Sequence, residues 1–423
     1  MNSQPSSAAA RTANPSALGS APLRGAPPAA RTLLALLQRL QRGRLELRLP
    51  DGAMLHFGEH EVAAPLAHLH VHDWAVFSAV LRRGDIGFAE GYFQGQWSTV
   101  DLPGLLKLLL ANRNAVERAL HGSVWGTLFA RLRHLFNRNS RSGSRHNIHQ
   151  HYDIGNAFYQ LWLDPGMTYS SALFTAPGQS LQDAQDAKLE RVLRQLDLPA
   201  GGRVLEIGCG WGSFAEAAAR AGLRVDGLTL STEQLAYAQA RLQAAGLDQR
   251  ARLELRDYRD ASAIAPAGGY DGIASIEMFE AVGEAYWPSF FRTLASQLRP
   301  GGRACIQTIT IAEAIFPQYR RGTDFIQQYI FPGGMLPSPS AFAAQARKAG
   351  LEVVASHAFG QDYATTLGLW RERFLAQREA VRAQGFDQRF SLLWEFYLAY
   401  CEAGFAQQTI DVMQFTLRHQ RAA

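Results

Sequence analysis

Cysteine is scarce in this chain. Cys209, Cys305 and Cys401 are the only three in 423 residues. They are odd in number and at no metal-ligand spacing, which excludes a disulfide framework and a cysteine metal cluster, and no metal is expected. A reducing cytoplasm is the expected compartment. No apolar run reaches the roughly 18 residues that a membrane span requires, so the protein is expected not to be integral to a bilayer. Acidic residues are absent before Glu46 and again between Glu117 and Asp153. The first of these stretches is rich in Ala, Pro and Ser and reads as a disordered tail over residues 1–30. A transit peptide shares that composition, but the proline content disfavours the helix such a peptide needs. The second stretch holds Arg118, Arg131, Arg133, Arg138, Arg141 and Arg145, a basic block in a chain of formal charge +5.

What is present is organised around Val204-Leu-Glu206-Ile-Gly208-Cys209-Gly210-Trp211-Gly212. A short apolar run breaks into alternating glycines, and Ser213 to Arg220 then has the composition of a helix. Glycine permits the sharp turn and the close approach of backbone to a ligand at a helix N-terminus, where unpaired N–H groups point outward. The spacing is G-x-G-x-G, with Glu206 two residues ahead of Gly208. A dinucleotide would more often meet G-x-G-x-x-G, and its pyrophosphate would be poorly served by a carboxylate in the preceding strand. A cationic sulfonium with a free amino acid suits that carboxylate, so S-adenosylmethionine is the expected ligand.

Around this motif the elements alternate as a doubly wound α/β sheet requires. Strands are expected at Arg203, Leu223–Leu228, Ala251–Arg256, Tyr270–Ile276 and Ala304–Ile309. Helices are expected over Leu181–Leu196, from a capping box at Ser231 to Gln234 onward, and from Tyr286 to a close at Arg299-Pro-Gly-Gly302. Thr409–Leu417 reads as a closing edge strand. Ligands in such sheets lie beyond the carboxyl ends of the strands. Gly208 to Gly212, Thr229, Tyr258, Glu280 and Gln307 to Ile309 should therefore converge. The apolar, aromatic stretch Phe316–Pro337 interrupts the alternation at that edge and suits either a cover for an apolar substrate or plain packing.

Ahead of this domain, residues 31–120 read as a small α+β domain. It has a leucine-rich amphipathic helix over Arg31–Arg42, a strand and Pro-Asp-Gly turn from Arg44, and a Gly- and aromatic-rich segment from Gly84 to Trp97 whose rings suit a core. Residues 121–148 read as a basic amphipathic helix and linker, whose spacing would put Trp125, Leu128, Phe129, Leu132 and Phe136 on one helical face. Such a segment suits either the headgroup layer of a membrane or domain packing. No recognition motif accompanies its arginines, so nucleic acid is not an expected partner. The remaining sequence, 149–423, is assigned to one catalytic domain, with His149 and His151 as linker or lid residues.

These residues together resemble the cyclopropane-fatty-acid synthase family of class I methyltransferases. The resemblance rests on HYDIGNAFY, MTYSS, VLEIGCGWGS, GLTLSTEQ, DYRD, IEMFEAVG, YIFPGG and YATTLGLWRERF, from His151 to Phe374. It implies methylene transfer from S-adenosylmethionine to the cis double bond of an unsaturated acyl chain in a membrane phospholipid, by a cytoplasmic enzyme peripheral on the inner face of the membrane. A homodimer is compatible with it. It also implies cofactor contacts at Tyr169, Ser170, Glu206, Gly208, Gly210, Gly212, Thr229, Leu230, Gln234, Tyr258 and Arg259. A bound bicarbonate base is implied too, held by residues that match here to Glu280, Gln307, Ile309, Tyr363 and Ser171, with Cys401 matching a further cysteine of the family.

Two positions depart from the bacterial pattern: Gln307 replaces a histidine and Ser171 a cysteine. Both side chains still hydrogen-bond, but glutamine carries no proton. A methyl- or methylene-branched product is therefore the alternative to a ring. A small-molecule N-methyltransferase and a non-catalytic lipid-binding protein are the competing classes. The N-terminal domain and basic segment oppose the first of these, and the intact glycine loop with Glu280 and Tyr363 opposes the second.

Overall fold

The computed structural model describes residues 25–59, 64–113 and 154–420. The tail, the basic amphipathic helix and linker of 121–148, and His149 and His151 lie outside these residues. The described residues form two units, one of 25–59, 64–113 and 387–403 and the other of 154–386 and 404–420. Residues 387–403, which the sequence reading grouped with 149–423, thus join the first unit.

In the first unit, β1 (Arg44–Arg48), β2 (Met54–Gly58), β3 (Leu66–Val71) and β4 (Trp97–Ser98) form a sheet in the order β2-β1-β3-β4. The β1–β2 pair is antiparallel and the β1–β3 pair parallel. Alternation buries Leu45 and Leu47 on one face of β1, as period-2 patterning requires. The leucine-rich helix begins earlier and ends earlier than its spacing suggested, at Pro28–Leu37, because proline suits the first turn. Asp101 caps the helix Leu102–Ala111 through a 3.0 Å bond from Gly104 N. Phe93 and Trp97 are buried, and Phe396 from the 387–403 segment packs 6.4 and 6.5 Å from their rings. That packing, with the Tyr400 hydroxyl donating to Asp85 at 2.8 Å, is the physical reason the segment groups here.

In the second unit seven strands run in the order β10-β11-β9-β8-β5-β6-β7. They are β5 (Arg203–Ile207), β6 (Arg224–Thr229), β7 (Ala251–Leu255), β8 (Tyr270–Ile276), β9 (Leu298–Ile311), β10 (Leu351–Ala358) and β11 (Ile410–His419). Strands β5 to β9 pair in parallel; β5, β6 and β8 are buried on both faces and hence apolar without strict alternation, whereas β7, at the edge, alternates. The sheet is a Rossmann-like, doubly wound α/β sheet, as the alternation of elements predicts.

Three local expectations are corrected. Strand β11 is not at an edge: it inserts antiparallel between β9 and β10, and β10 takes the edge. Burial of Val412, Phe415 and Leu417 explains the placement, since these side chains need cover that an edge does not provide. Strand β9 starts at Leu298, so Arg299 to Gly302 lies within the strand, where the pairing with β8 shifts register. The capping box at Ser231 is half formed: the Ser231 hydroxyl accepts from Gln234 N at 3.2 Å, but the Gln234 side chain turns to Thr229. Among the described residues, no helix is long and apolar enough to cross a membrane.

Candidate active site

The glycine turn after β5 is built as its sequence requires. The N–H groups of Gly208 and Cys209 both donate to Leu228 O on β6, at 2.9 and 2.8 Å, which pins the turn to the neighbouring strand. Gly208 has φ +86°, and a Cβ there would meet Met278 at 2.8 Å. The turn thus needs both the left-handed backbone and the missing side chain.

A pocket opens beyond the carboxyl ends of β5, β6 and β8. Among the residues that line it are Tyr169, Ser170, Glu206, Gly208, Gly210, Thr229, Leu230, Gln234, Tyr258 and Arg259. These are ten of the eleven residues matched to cofactor contacts. Gly212 does not line it. It stands at φ +84° before helix Ser213–Arg220, and a Cβ there would meet the Ala238 Cβ at 2.9 Å, so its role is close helix packing. Thr229 and Gln234 meet at 3.2 Å. Arg259 is braced by Asp257 at 2.8 Å and stacks 5.6 Å over the Tyr258 ring. Tyr169 packs among Tyr159, Trp162 and Trp370.

Glu206 is almost wholly buried in this pocket, and its Oε2 has no protein partner. Burial pushes its carboxyl up to about 8, while Lys188 opposes the shift. A buried carboxyl oxygen without a partner at a glycine turn fits a cationic ligand, because a buried polar atom left unpaired is unfavourable. The residues present therefore suit S-adenosylmethionine, whose chemistry is to supply an activated methyl group.

Behind the pocket lies a hydrogen-bonded cluster centred on Glu277, the residue the sequence reading missed. Glu277 directly follows β8, at φ +49°. Its Oε1 accepts from Ser171 N and from Gln307 Nε2, each at 2.8 Å, and its Oε2 accepts from the Tyr363 hydroxyl at 2.7 Å. Three of the residues matched to a bicarbonate shell thus converge on this carboxylate, not on Glu280. Glu280 instead accepts from Ile309 N, and its Oε2 is buried without a partner. Its backbone carbonyl accepts from Met335 N at 2.9 Å, tying the Phe316–Pro337 insertion to the same place. The Ser171 hydroxyl turns away to Ala172 O at 2.9 Å, so this serine contributes through its backbone.

The bicarbonate implied by the resemblance does not fit this shell, because the donors of Ser171, Gln307 and Tyr363 are already engaged. The signal that could have found Glu277 was its place: it begins the Glu277-Met-Phe-Glu280 run at the carboxyl end of a parallel strand. Lys188 was missed as well. It is fully buried on the apolar stripe of helix Leu181–Leu196, where a lone cation is itself a signal. Its Nζ donates to Ser170 Oγ at 2.6 Å, and burial lowers it to about 8 against the pull of Glu277, Asp164 and Glu206.

Two buried carboxyls that interact electrostatically, as Glu277 and Glu280 do, cannot both ionise at low cost. Burial and then the Glu277 charge push Glu280 up to about 8. Burial also raises Glu277, but its three donors and Lys188 favour the charged form. Glu277 thus has donors on both of its oxygens and Lys188 to offset its burial, whereas Glu280 has a donor on one oxygen and the Glu277 charge set against its own. Cys401 lies half-buried on helix Gln388–Ala406, in the part that groups with the first unit.

The family model described as "Mycolic acid cyclopropane synthetase" matches residues 139–415. A "Tuberculostearic acid methyltransferase UfaA1" of Mycobacterium tuberculosis is 39% identical over 92% of this chain and 92% of its own. A "Cyclopropane-fatty-acyl-phospholipid synthase" of Escherichia coli K12 is 34% identical over 82% of this chain and 87% of its own. Among solved structures, mycolic acid cyclopropane synthase CmaA1 complexed with SAH and CTAB aligns with TM-score 0.59 and 31% identity, over 64% of this chain and 97% of that one. The chain therefore belongs to the mycolic acid cyclopropane synthetase family of lipid methyltransferases, whose cosubstrate is S-adenosylmethionine.

Proposed function

We propose that this enzyme adds the methyl carbon of S-adenosylmethionine to the cis double bond of an unsaturated acyl chain in a membrane phospholipid and closes a cyclopropane ring there. The observation that carries the reading is the carboxylate cluster of Glu277, Gln307 and Tyr363 against the cofactor pocket. A base held next to a methyl donor is what the reaction demands. Once an alkene carbon has taken the methyl, the neighbouring carbon is cationic, and loss of a methyl proton lets the C–H electron pair form the third ring bond. The aromatic residues around Tyr169 supply faces that stabilise a nearby cation, and the Phe316–Pro337 insertion would keep water from trapping it. In this reading Glu206 and the glycine turn hold the cosubstrate, and the segment 121–148 brings the enzyme to the membrane surface.

A second reading, a methyl- or methylene-branched chain, is favoured by the relative named for tuberculostearic acid, which matches over both parts of the chain. A ring needs only the methyl donor and a base, whereas a saturated methyl branch also consumes a hydride.

The test is gas chromatography with mass spectrometry of membrane fatty acids from cells expressing the protein in a host that lacks such an enzyme. A saturated product one methylene heavier than its monounsaturated precursor, shown by hydrogenolysis to hold a ring, is expected. An open branch would select the second reading. Unchanged lipids, with S-adenosylhomocysteine binding intact, would overturn both in favour of a small-molecule acceptor.

A further inference from the structure

Resting on that reading, we infer that Glu277 is the built-in base of the reaction, its carboxylate filling the shell in which a separate anion would otherwise be bound. The donors of that shell come from three distant segments: Ser171 N, Gln307 Nε2 and the Tyr363 hydroxyl, at 2.8, 2.8 and 2.7 Å. All three end on the two oxygens of one side chain. A carboxylate and bicarbonate offer the same acceptor pair, so one replaces the other without rebuilding the shell.

The direction of the hydrogen bonds is fixed from outside. Arg191 can only donate, and its Nη1 gives a 2.8 Å bond to Gln414 Oε1. Gln414 therefore turns its amide N–H to Gln307 Oε1, at 3.0 Å, and Gln307 in turn presents N–H to Glu277. The chain ends on an acceptor, as an ionised carboxylate requires. Glutamine in place of histidine thus has a role here: it holds the base and does not itself exchange protons.

The backbone points the same way. Glu277 sits at φ +49°, a conformation disfavoured for a residue with a Cβ and suited to glycine. Glu277 itself lines the cosubstrate pocket, which places the base beside the methyl donor. In the step itself, an alkene carbon takes the sulfonium methyl while the C–S electron pair remains on sulfur. Glu277 then accepts one proton from the transferred carbon, and the released C–H pair closes the ring onto the cationic carbon. The carboxyl returns its proton to solvent after product leaves. Removal of the same proton with its pair forming a double bond would give a methylene branch, so the base is common to both products.

The experiment compares wild type, E277Q and E277G in bicarbonate-depleted buffer and with added bicarbonate. Acyl-chain alkylation is read by mass spectrometry, binding of [14C]bicarbonate by equilibrium dialysis, and folding by S-adenosylhomocysteine affinity. Wild type is expected to turn over equally in both buffers and to retain no labelled bicarbonate. E277Q, still filling the shell, should lose about 100-fold or more in rate with no rescue. E277G, whose glycine accepts the positive φ, should bind labelled bicarbonate and recover about 10-fold or more of its lost rate when bicarbonate is added. Wild-type turnover that depends on bicarbonate, or wild type that retains the label in this shell, would overturn the inference and leave the proposed function standing. Full activity in E277Q would do the same. Absence of any alkylated lipid at every bicarbonate concentration would overturn the function and the inference together.

Discussion

The Tyr363 hydroxyl donates a 2.7 Å hydrogen bond to Glu277 Oε2, joining helix Gly360–Ala376 to the carboxyl end of β8 across 86 residues of sequence. This bond favours the charged carboxylate against the desolvation that raises it. Tyr363→Phe should therefore lower turnover by about 10- to 100-fold, the value of a hydrogen bond to a charged group. The acid limb of the pH–rate profile should move to higher pH, because a carboxylate that loses a donor holds its proton more tightly. Rates measured from pH 5 to 9, with S-adenosylhomocysteine affinity as control, check both; an unmoved limb would separate Tyr363 from the base.

Gln414 touches no part of the pocket, yet it orients Gln307. Gln414→Leu removes the acceptor for Arg191 and the donor to Gln307 Oε1, which frees the Gln307 amide to turn over. Turnover should fall about 10-fold while cosubstrate affinity changes less than about twofold, as expected when only transition-state support is lost. Parallel kinetics and calorimetry decide this, and a loss of affinity equal to the loss of rate would mark a folding defect.

Glu206 couples cosubstrate binding to pH. Its carboxyl is pushed up to about 8 by burial, so it is largely protonated at pH 7 in the free protein. A cationic ligand favours the carboxylate, and binding should release a proton. S-adenosylmethionine affinity should then rise with pH through about 8, and calorimetry in two buffers of different ionisation enthalpy should register the release. The same sign governs stability: for this residue it is full below the ordinary carboxylate range and is lost as pH rises through about 8. Glu206→Gln should abolish the proton release.

Gly212 has φ +84°, and a Cβ there would lie 2.9 Å from the Ala238 Cβ. Gly212→Ala should destabilise the protein by about 1–3 kcal/mol, through backbone strain and a displaced helix. Urea unfolding monitored by circular dichroism would measure it. A change within experimental error would show that helix Thr232–Ala244 yields easily.

Local chemistry made much of this protein legible. Helix Leu181–Leu196 and strand β8 have the bounds that periodicity assigns, because apolar spacing and turn residues act within a few positions of the chain. The glycine turn, Glu206 and the ligand class followed from one strand–turn–helix segment for the same reason. Strand β11 was misplaced at an edge, since pairing partners are chosen by burial across the whole sheet and not by the strand's own residues.

The site divides in the same way. Sequence alone determined which residues carry ionisable and hydrogen-bonding groups, and that the parallel strands would deliver them to one edge. It marked Glu280, Gln307, Tyr363 and Ser171, yet it did not determine on which carboxylate they close. That choice depends on the left-handed turn at Glu277 and on the bonding polarity set by Arg191 through Gln414, residues 86 and 137 positions from Glu277. Likewise Lys188 looks like an ordinary helix lysine until packing removes its water. Hydrogen-bond direction and desolvation are properties of surroundings assembled from distant segments, and only the tertiary structure supplies them.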